Sequence, residues 1–213
     1  MSAKTATKRT RSRRGEGDKL REEILEATER LLIRTGSVEA VSVRDIAEEV
    51  GCTPPSIYLH FDDKNALVFA VCERIFEALE AVALAATEGV DDPVEAVRAC
   101  GRAYVRFGLD HPEQYRIMFM SRAQDSISPL LLERLKQASG FGLVVERAQR
   151  CVDAGMFPAE DAFFLACGLW SAVHGITSLL IAKPWFPWPE VERLIDHCID
   201  THVLGLATRG SAT

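Results

Sequence analysis

An all-α fold is what this sequence predicts, on three observations. Apolar residues recur at helical spacing, as Val43, Ile46, Ala47 and Val50 do at i, i+3, i+4 and i+7. No stretch alternates apolar and polar residues with the period of two that a half-buried strand shows, and no internal repeat is present. Start and stop residues punctuate the chain: Thr53-Pro54, His111-Pro112 and Ser128-Pro129 open segments, while Gly36, Gly51 and Gly155 close them. About nine helices result.

Residues 1–17 are rich in Lys, Arg, Ser, Thr and Gly and read as a disordered basic arm. Two roles stay open for it: a solvated tail, or an arm whose Arg11, Arg13 and Arg14 reach a minor groove or phosphates. A first helix from about Lys19 to Thr35 lines up Leu20, Ile24, Ala27 and Leu31 on one stripe. Ser42 then caps a short helix, Val43–Val50, with Asp45 at its third position in an acidic variant of the capping box. Thr53 caps the next, from Pro54 to about His60, where the missing proline N–H would be unpaired anyway. Its Ile57 and Phe61 turn inward, leaving Ser56, Tyr58, Leu59 and His60 elsewhere on the surface. Two short helices joined by a glycine turn form a helix-turn-helix, whose second helix fits the DNA major groove.

The stretch Val43 to Leu67 meets every position of V-R-D-I-A-x-x-x-G-x-x-x-x-x-[LI]-Y-x-x-F-x-x-K-x-x-L. That pattern resembles the DNA-binding domain of tetracycline-repressor-type (TetR/AcrR) transcriptional regulators. The resemblance carries DNA contacts onto particular positions. Ser42 and Arg44 lie at the start of the first short helix, where Arg44 can reach a phosphate. Thr53, Pro54, Pro55, Ser56, Leu59 and His60 would face the groove, with Tyr58 on the backbone and Lys64 holding a phosphate as a point charge. Pro54, Pro55 and Leu59 offer no side-chain hydrogen bonds, so thymine methyls and DNA shape gain weight in the reading.

Downstream, a long helix runs from Lys64 to Thr87 and another from Pro93 to about Leu109. HPEQYRIMFM forms a sixth, Ser128 to about Ala154 a seventh, and the stretch beyond Pro158 to Ala182 an eighth. Pro184–Pro189 separates the eighth from a ninth that ends near Leu206. Trp170-x-x-x-His174-Gly175, with HPEQYRIMF, resembles the WHG-type carboxy-terminal domain of one subgroup of these regulators. The domains expected are the arm at 1–17, the DNA-binding domain at 18–67, an effector-binding and dimerisation domain at 68–207, and a flexible tail at 208–213. The resemblance implies an effector pocket, for which Tyr104, Phe107, His111, Tyr115, Met118, Phe119, Trp170 and His174 are the candidate lining. It also implies a homodimer through the last two helices, which matches the palindromic operator that two recognition helices would read.

Composition agrees with this division. The net charge is −6, but residues 1–14 carry Lys4, Lys8, Arg9, Arg11, Arg13 and Arg14 with no acid, and charges balance up to Leu67. All the negative excess therefore lies downstream. Six cysteines without CxxC pairs read as free thiols of a reducing cytosol, and the basic amino terminus lacks the apolar core of a secretory signal. Ala162 to Ala182 carries no charge and is long enough to span a bilayer. Its Ser171, His174, Gly175, Thr177 and Ser178 favour a buried interface helix instead, with Gly168, Ala172 and Gly175 allowing close approach.

No nucleophile elbow, Walker loop or dinucleotide fingerprint is present, so no enzyme and no cofactor are expected. His197, Cys198, Asp200 and His202 lack a partner cluster, so no metal is expected either. The function expected is that of a cytoplasmic DNA-binding regulator, a repressor released by a small hydrophobic effector. Ligand would favour a tilt of the fourth helix that changes the separation of the recognition helices. The alternatives are a same-fold activator, a regulator that needs no ligand, or a helical carrier or enzyme.

Overall fold

The computed structural model describes residues 16–119 and 141–210, and among them forms nine helices and no strand. These are α1 Glu16–Thr35, α2 Val43–Val50, α3 Pro54–Tyr58, α4 Lys64–Thr87, α5 Pro93–Asp110, α6 Pro112–Phe119, α7 Phe141–Asp153, α8 Ala162–Ala182 and α9 Val191–Gly210. Three ends depart from expectation. α1 begins at Glu16, inside the stretch read as arm, and α9 runs past Leu206 to Gly210, inside the expected tail. α3 stops at Tyr58, because the next turn tightens: the His60 N–H donates to the Ile57 carbonyl three residues back. Arg11, Arg13 and Arg14 of the arm, and the first half of the seventh helix, lie outside the described residues.

The described residues fall into two compact units. The first holds residues 16–75 and 113–119, the second residues 76–112 and 141–210. The division thus falls within α4 rather than at Leu67, and α6 joins the first unit. The reason is local. α4 keeps burying Val68, Val71 and Ile75 beyond Leu67, and its Arg74 pairs with Glu22 of α1. On α6, the Gln114 amide donates to Glu29 Oε1 of α1 at 2.6 Å.

In the first unit Ile24, Ala27 and Leu31 of α1 form a core with Ile46, Ala47, Ile57, Phe61 and Leu67. Burying each large aliphatic side chain contributes about 2 kcal/mol, so the short helices hold their angle by packing rather than by propensity. Their ends are closed chemically. Ser42 Oγ accepts the Asp45 N–H at 3.2 Å, and Asp45 Oδ2 accepts the Ser42 N–H at 2.8 Å. Gly51, at φ 75°, lets Cys52 N–H reach back to the Ala47 carbonyl at 2.9 Å and close α2 in a Schellman turn. Asp63 caps α4, its carboxylate accepting the Ala66 N–H at 2.7 Å.

The second unit packs α5, α7, α8 and α9 around Val97, Val105, Ala148, Cys151, Leu165, Leu169, Val173, Ile199 and Val203. Gly101 lets α5 approach closely, since a Cβ there would meet Ile199 Cδ1 at 3.3 Å and Val173 Cγ1 at 3.4 Å. Three ion pairs stitch α5 to an antiparallel α9: Arg98–Asp200 at 2.8 Å, Arg102–Asp196 at 2.6 Å, and Arg106–Glu192. All six cysteines are free thiols. Burial pushes the Cys72 thiol up to about 12 and those of Cys100 and Cys151 to about 11.

Candidate functional site

The α2–α3 pair presents one exposed surface. Tyr58 is 52% exposed and Leu59 84%, whereas Ile57, which precedes them, is buried, as are Ile46 and Ala47 of α2. Ser42, Arg44, Thr53 and Pro55 are exposed, and Pro54, Ser56, His60 and Lys64 are half-buried. His60 lies near the start of α1, where a Cβ on Gly17 would stand 3.9 Å from its ring.

The hydroxyls on this surface are partly committed to the fold. Ser42 Oγ donates to Asp45 Oδ2 at 2.6 Å while accepting the Asp45 N–H. These bonds from the Ser42 hydroxyl and then its N–H hold the Asp45 carboxyl below its ordinary range, so the cap stays ionised. Thr53 occupies the N-cap position without accepting a backbone N–H through its side chain. The two prolines remove the N–H groups of the first two helical residues, and the third, from Ser56, goes to the Thr53 carbonyl at 2.8 Å. Thr53 Oγ1 instead shares a hydrogen bond with Ser56 Oγ at 2.9 Å.

Cations divide sharply in this unit. Arg30 and Arg34 pair with Glu49, Arg74 with Glu22, Arg116 with Glu113, and Lys19 sits 4.0 Å from Glu23. Arg21 lies over the Phe61 ring, 5.1 Å from its centroid. Arg44 and Lys64 have no carboxylate within ion-pair distance among the described residues. They are two of the positions on which the sequence pattern places phosphate contacts.

In the second unit Tyr104, Trp170 and His174 come together. The Trp170 indole donates to Tyr104 Oη at 3.3 Å, Tyr104 Oη lies 3.0 Å from His174 Nδ1, and His174 Nε2 lies 3.3 Å from Ser178 Oγ. An indole N–H can only donate, so Tyr104 Oη accepts from Trp170, while the roles along Tyr104–His174–Ser178 follow the histidine tautomer. Burial lowers the His174 pKa and favours the neutral ring. Tyr104 and Trp170 line a cavity of about 40 Å³ with Val97, Gly101, Val173, Ile199 and His202.

The other candidate residues separate. Phe107 is buried, and its ring lies 4.9 Å from that of exposed His111, tilted 51° to it. Tyr115, Met118 and Phe119 belong to the first unit, where Tyr115 and Met118 are buried and the Tyr115 and Phe119 rings lie 4.9 Å apart. The contact of Ser178 with His174 and the capping role of Asp63 escape the sequence reading, although an aspartate just before an apolar run is a helix-start signal. The arginine stitch escapes it too; charges recurring every four residues in two segments are the signal that finds it. Among the described residues no cluster of three or more His, Cys, Asp or Glu side chains could hold a metal.

The model of the family described as "Bacterial regulatory proteins, tetR family" matches residues 24–71, and that described as "Tetracyclin repressor-like, C-terminal domain" matches residues 97–202. The HTH-type transcriptional regulator TtgR of Pseudomonas putida is 36% identical over 84 residues, 39% of this chain and 40% of that protein. The chain spans about two fifths of the length of the curated relatives it matches. A solved protein of unknown function from Rhodococcus sp. RHA1 superposes with a TM-score of 0.73 at 28% identity, covering 88% of this chain and 95% of its own. A TetR family transcription regulator from Marinobacter aquaeolei VT8 shares the fold, with a TM-score of 0.70 at 20% identity over 92% of this chain and 99% of its own. With both halves matched, the chain belongs to the tetR family of bacterial regulatory proteins.

Proposed function

We propose that the protein is a cytoplasmic, sequence-specific DNA-binding transcriptional regulator, a homodimeric repressor that a small hydrophobic effector releases from a palindromic operator. One observation carries the DNA-binding reading: the α2–α3 pair exposes Arg44, Tyr58 and Leu59, and neither Arg44 nor Lys64 forms an ion pair among the described residues. Cations beside groove-reading side chains are what a phosphate backbone binds.

The dimer is supported by an apolar face that the second unit leaves uncovered. Phe163, Phe164 and Leu179 of α8 and Leu204 of α9 are exposed. Beside them an outward groove of about 230 Å³ is lined by Phe164, Gly168, Thr201, Gly205 and Leu206. α8 is long and apolar enough to cross a membrane, yet its inner face joins the core of this unit. A second copy seated on the outer face fits both facts. The effector reading rests on the apolar cavity beside Tyr104 and Trp170.

A second reading is favoured by that cavity's volume. About 40 Å³ holds a water or two, against roughly 300 Å³ or more for a drug-sized ligand. A regulator that answers to no small molecule fits it directly. The testing experiment is selection of duplexes from a random library by the full-length protein, followed by gel shift of the enriched sequence. A saturable, competitor-resistant shift lost in a Tyr58→Ala, Lys64→Ala variant is expected; failure to enrich any sequence would sink the reading. Mass spectrometry of whatever the denatured protein releases, and the shift repeated with it added, then decides between the effector readings.

A further inference from the structure

Beyond Tyr58 and His60, the exposed surface of α3 is short of hydrogen-bond donors, and this limits what it can read. Pro54 and Pro55 open α3, Thr53 and Ser56 spend one hydroxyl proton on each other, and the Ser42 hydroxyl proton goes to Asp45. At i+3 and i+4 from Ser56 and Pro55 stands Leu59, 84% exposed, on the same strip of surface. An exposed leucine is ordinary on a protein surface. This one is singled out by its neighbours: the leucines of the helices around it, Leu31, Leu32 and Leu67 among them, are buried.

Resting on the DNA-binding reading above, we propose that Leu59 is a specificity-determining residue that reads thymine through its 5-methyl group. In the major groove each base edge offers donors or acceptors, and only thymine adds an apolar group. A leucine gains nothing against the polar edges of guanine, adenine or cytosine, but against the methyl it removes apolar surface from water on both sides. Arg44 and Lys64 hold phosphates and fix the register; Leu59 supplies discrimination. Removing one methyl from such a contact weakens binding about fourfold.

The experiment uses the full-length protein and the duplex enriched by selection, with each thymine replaced in turn by deoxyuridine. That change deletes the methyl and leaves base pairing intact. At one thymine per half-site, wild type is expected to lose about fourfold in affinity per methyl. Leu59→Ala is expected to show no loss at that same position, while Lys64→Ala, weaker overall, keeps the full deoxyuridine penalty. Leu59 is exposed, so its alanine variant is expected to keep wild-type circular dichroism and melting. An enriched duplex indifferent to deoxyuridine at every thymine overturns the inference and leaves the regulator standing. So does an equal penalty in wild type and Leu59→Ala. Failure to enrich any duplex overturns both.

Discussion

The two units use the same residue type in opposite ways. In the second, Arg98, Arg102 and Arg106 each face a carboxylate of α9 across a helix seam. In the first, Arg44 forms no ion pair among the described residues, and Lys64 forms none either, although its charge helps to hold the Asp45 carboxyl down. A paired arginine holds structure together; an unpaired one is open to an anion from outside. Net charge hides this difference, since the unit that would meet DNA is not basic overall, and only the pairing of its cations shows where a phosphate could dock.

The comparison is easiest to break at its most buried pair. Arg98→Ala removes charge-assisted bonds from an arginine side chain only 16% exposed, leaving Asp200, 40% exposed, to water, and is expected to cost about 1.5 kcal/mol in urea unfolding. Burial works against the Arg98 charge, but its bonds to Glu95 and Asp200 outweigh that and raise its pKa. DNA binding should be unchanged per folded molecule. The mirror experiment is Arg44→Ala with Lys64→Ala. Affinity is expected to fall about thirtyfold, with the slope of log affinity against log salt shallower by about one unit per cation. Stability should hold, and a loss of stability in place of affinity would invert the contrast between the units.

Smaller effects sharpen it. Ser42→Ala removes the cap of α2 and is expected to cost about 1 kcal/mol. The same variant tests the pH behaviour of its partner. The Asp45 carboxyl is held below its usual 3.8. Its contribution is therefore present above that value and is lost as pH falls through the folded value. Urea unfolding at pH 5 and pH 3 should show the alanine variant losing less on acidification than wild type. Smallest of all, Arg106→Ala breaks a pair whose partners are 51% and 53% exposed, and should cost under about 0.5 kcal/mol.

Much of this was legible in the sequence. Caps, prolines and glycines are local chemistry, so α2, the start of α3 and the whole of α4 from Lys64 to Thr87 follow from residues adjacent in the chain. Tyr58 and Leu59 could be placed outside and Ile57 inside by helical period alone. What needed coordinates was the meeting of segments far apart. Tyr104 and His174 are seventy residues apart and share a hydrogen bond, and nothing local to either announces the other. The joining of α6 to the first unit depends on Gln114 reaching Glu29, a pairing of two ordinary polar residues. The eight candidate lining residues, chosen for chemistry without distances, were divided by the fold between two units.

The arginine seam has a geometric consequence. Four residues turn an α-helix through a full circle and about 40° more, so each successive rung is wound further round both helices than the last. The arginine side chains accordingly pass from 16% exposed at Arg98 to 44% at Arg102 and 51% at Arg106. Such a seam behaves as a zipper with one closed end. Added salt screens the open teeth first, so ionic strength would weaken Arg106–Glu192 and Arg102–Asp196 before Arg98–Asp200, while buried Ile195 and Ile199 keep α9 packed.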